Sequence, residues 1–177
     1  MRLYALAAAV LLAACAPAAE TAHGPALITV FHPAGEDAPE SGLFEKFALT
    51  GAATGFTAAD LAAAPASEIT TGYPLGADAQ SWTGPRLSAL LAEIDAPGAS
   101  ARLTSLDGYQ VEVTAEEIDA HEPVLATHRD GAPLSLGGLG PAILIWPRDT
   151  APELADMNDD QWPWAVFAVE ILEPGDG

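Results

Sequence analysis

The stretch "TTGYPLGADAQSWTGPRLSALL", residues 70–91, decides how the chain is read. Its second half, "SWTGPRLSALL", has the form of a tight turn running into a helix, with Pro85 suited to the first helical turn. Continuing to residue 98, Leu87, Leu90, Leu91 and Ile94 recur at helical spacing, so one face of that helix is expected to be buried. Its first half begins as a strand, "SEITTGYPL", and dissolves into a loop of Gly and Pro that contains no cysteine.

Working outward, short strands and short helices alternate. "LITVFH" (27–32) is an apolar strand, and "FEKFALTG" (44–51) reads as a second strand ending in a Gly turn. Thr57 and Asp60 stand at capping-box spacing before a short helix stopped near Pro65. "ARLTSLDG" and "YQVEVT" form two strands joined across Asp107-Gly108, a hairpin dipeptide. Thr114 and Glu117 cap a helix "AEEIDAH", and "PVLATHRDGAPL" turns through Asp130-Gly131. The continuous apolar run "PAILIWP" (141–147) is expected to be a central strand. An acidic loop follows, and "WAVFAVEIL" (164–172) is the last strand. This order predicts an α+β domain with a mixed sheet and short helices.

Composition narrows the function. Six basic residues face 25 acidic ones, a formal net charge of −19, which leaves too few cations to displace the counterions of a nucleic acid. Residues 1–14 combine a basic Arg2, an apolar run from Leu3 to Leu12 and small residues before Cys15, the parts of an export signal. "LAAC" (12–15) resembles the bacterial lipoprotein processing box, which implies lipidation of Cys15 and a tether over 15–26. Residues 27–177 are then a single domain on a membrane surface facing the periplasm. Ala16, rather than Asp, after the cysteine points to the outer membrane over the inner. With Arg2 removed, five basic residues remain of the six, and an acylated Cys15 leaves no free thiol for catalysis or metal ligation.

The succession "FALTG", "FTAADLAAAP", "ITTGYP", "WTGPRLSALLAEIDAPG", "DGYQVEVTAEEI", "VLATHRDGAPLSLGGLGPAILIWPRD" and "VFAVEIL" resembles the molybdopterin-binding domain of the sulfite oxidase family. Its most specific elements are W-x-G-x-x-L from Trp82, R-D-G-x-P-L from Arg129 and G-P-x-x-x-x-x-P from Gly140. The family's molybdenum enzymes hold the metal through one cysteine thiolate. The resemblance places that position near Gly72, where this chain has Thr70, Thr71, Gly72 and Tyr73 instead. It therefore implies a member of the short, exported, cysteine-less relatives, which bind a pterin without redox catalysis. Such relatives act with a membrane protein, such as a sensor kinase or cyclic-di-GMP enzyme bearing a periplasmic sensor domain. Two alternatives stay open: a molybdenum enzyme with a non-cysteine ligand, and an interaction module with a degenerate pocket.

A pterin needs stacking faces and a carboxylate or carbonyls opposite its amino edge. The resemblance puts "WPRD" against the pterin, which makes Trp146, Arg148 and Asp149 candidates. Trp146 equally suits the core, and Arg148 equally suits an ion pair with Asp149 or Glu153. Around Pro163, Trp164 is expected to face the core and Trp162 to form the rim of the pocket. Trp82 and Tyr73 flank the vacated thiol position, and Arg129 sits on a turn. Cations as few and as scattered as Lys46, Arg86 and Arg102 favour an unphosphorylated pterin over molybdopterin, and no metal is expected. The four histidines have no metal-ligand spacing. "DMNDD" (156–160) lacks the glycine and the twelfth-position acid of a calcium loop.

Overall fold

A computed structural model describes residues 24–33 and 42–172. The signal segment 1–14, Cys15 and most of the tether lie outside the described residues.

The chain enters through strand β1 (Ala26–His32), whose central residues Ile28 to Phe31 are buried. Helix α1 (Gly42–Lys46) follows, where a strand over 44–51 was expected. Leu43, Phe44 and Phe47 are spaced for a helical turn that covers Phe31 and Phe167, with Phe44 meeting Phe31 edge-on at 5.0 Å. The strand starts later, as β2 (Ala52–Thr57). Helix α2 (Ala58–Ala63) carries the expected capping box: Thr57 Oγ1 accepts from Asp60 N while Asp60 Oδ2 accepts from Thr57 N.

Strands β3 (Ala66–Gly72) and β4 (Ala79–Pro85) form an antiparallel hairpin, running from Ala66 opposite Pro85 to Gly72 opposite Ala79. The expected turn at "SWTGP" is therefore a strand, and Pro85 is its last residue rather than a first-turn residue. Strand β4 passes so close to the next sheet that a Cβ on Gly84 would lie 2.2 Å from the Leu125 carbonyl oxygen, so only glycine fits. Helix α3 (Leu87–Ala92) begins after Arg86 and buries Leu87, Leu90 and Leu91, the face that the spacing predicts.

Strands β5 (Ser100–Ser105) and β6 (Gln110–Val113) make the expected hairpin, and helix α4 (Ala115–His121) has its Thr114–Glu117 capping box. Three short strands, β7 (Val124–Ala126), β8 (His128–Arg129) and β9 (Ala132–Pro133), lead to β10 (Ile143–Ile145). Two 3-10 turns, Pro152–Leu154 and Asp159–Gln161, precede β11 (Val166–Leu172).

Three sheets result: β2-β1-β11-β5-β6, β3-β4-β8-β9, and the pair β10-β7. The first is mixed, because β1 runs parallel to β11 while its other neighbours are antiparallel. With few and short helices this is the α+β class expected. "PAILIWP" is buried from Pro141 to Trp146 but supplies only the three-residue β10, paired with β7. Its apolar run reflects burial between layers, whereas β11 takes the central place in the large sheet, a distinction that hydrophobicity alone does not encode.

Candidate functional site

The loop leaving β3 at Gly72 is tied down by the segment after β10. Strand β10 ends at Ile145, and Pro147 closes a turn in which Arg148 N donates to Trp146 O at 2.8 Å. This turn sends the Arg148 side chain inward, where it is 4% exposed. Its Nη2 donates to Gly72 O at 2.6 Å, and its Nη1 donates to Met157 O at 3.0 Å and Asp159 Oδ1 at 2.8 Å. A buried guanidinium needs this satisfaction, since an unpaired one would cost several kcal/mol. The expected partners, Asp149 and Glu153, are not the ones used. Asp149 instead accepts from Gly72 N at 3.0 Å, so both backbone groups of Gly72 are held by consecutive side chains of "WPRD". Asp159 also receives Leu75 N on both carboxylate oxygens, at 3.0 and 2.9 Å.

The aromatic residues pack behind this clamp. Tyr73 stacks on Trp162, with centroids 5.6 Å apart and planes 15° from parallel, and meets Trp82 edge-on at 6.2 Å. The Arg148 guanidinium carbon lies 4.4 Å from the Trp162 ring centroid. Trp82 is buried and donates its Nε1 to Thr71 O at 3.1 Å. Burial, reinforced by the negative charge of Asp159 and opposed by Arg148, holds the Tyr73 phenol above its ordinary value. Arg129 is exposed on β8, 5.7 Å from the Trp82 ring. Trp146 is buried and bonds Gln161 O through Nε1, with His121 against its edge.

Tyr73, Trp82, Trp162, Arg148 and Asp149 are thus brought together at Gly72, with Arg129 on the outer side of Trp82 and Trp146 joined through Gln161. The placement of the last two tryptophans is reversed: Trp162 is 1% exposed and Trp164 41%. Trp162 ends the second 3-10 turn and points into the cluster. Trp164 bridges Ile143 and is followed by Ala165 at φ 52°, which breaks the simple alternation of a strand. Asp159, the carbonyl of Met157 and the hydroxyl of Thr71 carry no local signal. Asp159 lies 84 residues from the Leu75 amide that it binds.

Two polar atoms in this cluster are buried without a hydrogen-bond partner: the Thr71 hydroxyl and Trp162 Nε1. A cavity of about 340 Å³ is bordered by Gly72, Leu75 to Ala77, Arg148, Asp149 and Thr150, and neither Thr71 nor Trp162 lines it. Its wall offers a positive guanidinium, an exposed carboxylate, a hydroxyl and bare backbone.

No protein-family profile and no curated protein matches the chain. Among solved structures it is similar to the sulfane dehydrogenase SoxCD from Paracoccus pantotrophus, with a TM-score of 0.55 and 18% identity. The match covers 82% of this chain and 38% of the dehydrogenase chain, so the chain spans little more than a third of that protein's length. At this identity the likeness is one of fold, and the α+β architecture expected from the sequence is compatible with it.

Proposed function

We propose that the chain binds an unphosphorylated pterin without redox catalysis, as an exported lipoprotein that relays its occupancy to a membrane signalling protein. The observation that carries this reading is the cavity at Gly72, whose lining sets the exposed Asp149 carboxylate beside the Arg148 guanidinium and loop backbone. A pterin has a carbonyl and ring nitrogens that accept hydrogen bonds, and Arg148 brings N–H donors to the cavity wall. Its 2-amino edge suits the outward face of Asp149. Arg148, already neutralised by Asp159, has little positive charge to spare for a phosphate, which favours the unphosphorylated form.

The residues present do not fit a molybdenum centre. At Gly72 there is no side chain, both backbone groups are bonded, and the neighbours are a hydroxyl, a phenol and a cation. None is the soft donor that such a metal takes from a thiolate.

A second reading, an interaction module with a closed pocket, is favoured by one observation: the Trp162 face is taken by Tyr73 and Arg148. Titrating the purified 177-residue chain with tetrahydrobiopterin, followed by tryptophan fluorescence, separates the two. Micromolar binding, weakened about tenfold by Asp149→Ala, supports the first reading. Absence of binding by oxidised and reduced pterins at millimolar concentration leaves the second. Stoichiometric molybdenum in elemental analysis would overturn both.

A further inference from the structure

Strand β2 (Ala52–Thr57) is the outermost strand of the five-stranded sheet, and among the described residues only β1 pairs with it. Its sequence, "AATGFT", contains none of the devices that close a sheet edge: no lysine, no proline and no inward charge. The single register shift, between Ala26 and Ile28, falls at the far end and leaves Ala52 to Phe56 in regular register with β1. Thr54 and Gly55 are exposed. Such an edge offers a row of N–H and C=O groups to an added strand.

Beside this edge is a second cavity, of about 700 Å³ against 340 Å³ at Gly72. The two share no lining residue. Phe56, Ala63, Pro65 and Leu90 give it apolar walls, with two acidic side chains, Asp60 and Glu93, and no basic one. One oxygen of Asp60 is committed to the capping box, whereas Glu93 is exposed at the last turn of α3.

We propose that β2 and this groove form a docking site for an extended, lysine- or arginine-bearing segment of a partner protein. The segment adds to the open edge as a sixth strand. Main-chain hydrogen bonds to β2 fix it, its small apolar side chains enter the groove, and a cation meets Glu93. A second copy of this chain is the wrong occupant, because β2 against β2 would bring Asp60 and Glu93 of both copies together on proteins that each carry a net charge of −19. The site is independent of pterin binding.

The test uses the 177-residue chain and a fluorescent heptapeptide of alternating valine and threonine with a lysine at each end. Binding of this peptide is expected to protect the amides of Thr54 to Phe56 from hydrogen exchange. It is expected to be at least about tenfold tighter than that of the same peptide with glutamate ends. N-methylation of alternate peptide nitrogens should abolish it, a variation that leaves the protein untouched. Glu93→Lys, on the exposed side of α3, should reverse the preference between the two peptides. Equal binding of both peptides, no effect of N-methylation, or self-association of the chain that Thr54→Lys disrupts would each overturn the proposal.

Discussion

The cavities at Gly72 and at β2 are built in opposite ways. At Gly72 the wall is made by side chains that reach across the sequence: Arg148 and Asp149 seize one residue's carbonyl and amide, and Asp159 seizes the next turn of the loop. At β2 one border is a strand edge, held on one side by a regular ladder to β1 and, among the described residues, unpaired on the other. Shape at the first site hangs on a few polar groups, each with a desolvation cost if its partner is lost. Shape at the second hangs on repetition, and most single side chains there are dispensable.

The largest effect that this difference predicts is at Arg148. Removing the guanidinium by Arg148→Ala leaves the Gly72 and Met157 carbonyls and the Asp159 carboxylate short of a donor. Breaking a buried charge network of this kind costs about 3–5 kcal/mol, to be read from urea unfolding. A loss below about 1 kcal/mol would mean that the loop after β3 is held by something other than this clamp.

At the edge, the same measurement should divide neighbouring residues. Thr54→Val, on an exposed side chain, stays within about 0.5 kcal/mol. Gly55→Ala places a Cβ only 2.9 Å from the Ala26 Cβ, so β1 and β2 must part, at about 1–3 kcal/mol. Equal, small effects at both positions would show that the β1–β2 ladder yields more easily than its regular register implies.

Asp149→Ala comes next, at about 0.5–1.5 kcal/mol for one hydrogen bond to Gly72 N. Its carboxylate is exposed and Asp159 still holds Leu75, so the loop stays in place. An effect as large as that of Arg148→Ala would make the two side chains one cooperative unit.

The same contrast explains what could be read in the sequence. Both capping boxes and the Asp107-Gly108 hairpin follow from neighbours three or fewer residues apart, and each is found where the pattern put it. Where the partner was distant, local pattern misled. "SWTGP" is a strand because β3 pairs along all of it, and Trp162 is buried because Tyr73 and Arg148 receive it. Residues 44–51 misled for another reason: apolar positions three and four apart were counted as strand, although that spacing is helical. Around Gly72, Trp82, Trp146, Arg148 and Asp149 were named through the family resemblance and Tyr73 through its place beside the vacated thiol position, whereas Trp162 was expected at the rim and is buried. Asp159 was not named, because its two bonds to Leu75 span most of the domain.

The smallest predicted effect concerns a charge that, unlike Arg148, is only partly compensated. Glu170, on β11, lies beside Arg102, whose Nη1 is 3.8 Å from its carboxylate, beyond hydrogen-bond reach. Arg102 makes its closer contact with Glu112, at 2.7 Å. Burial therefore raises the Glu170 carboxyl above its ordinary 4.5, with Arg102 lowering it in part and Glu112 adding to the rise. The folded protein holds this proton more tightly than the unfolded chain does. The stability contributed is accordingly full below 4.5 and is lost as pH rises through the folded value. Glu170→Gln keeps the shape and removes the charge. Its unfolding free energy should match that of the parent in acid, exceed it slightly at pH 7, and lack that decline between the two. A variant less stable than the parent at pH 7 would show instead that the Arg102 attraction outweighs burial, and that the large sheet holds its charges as tightly as the site at Gly72 does.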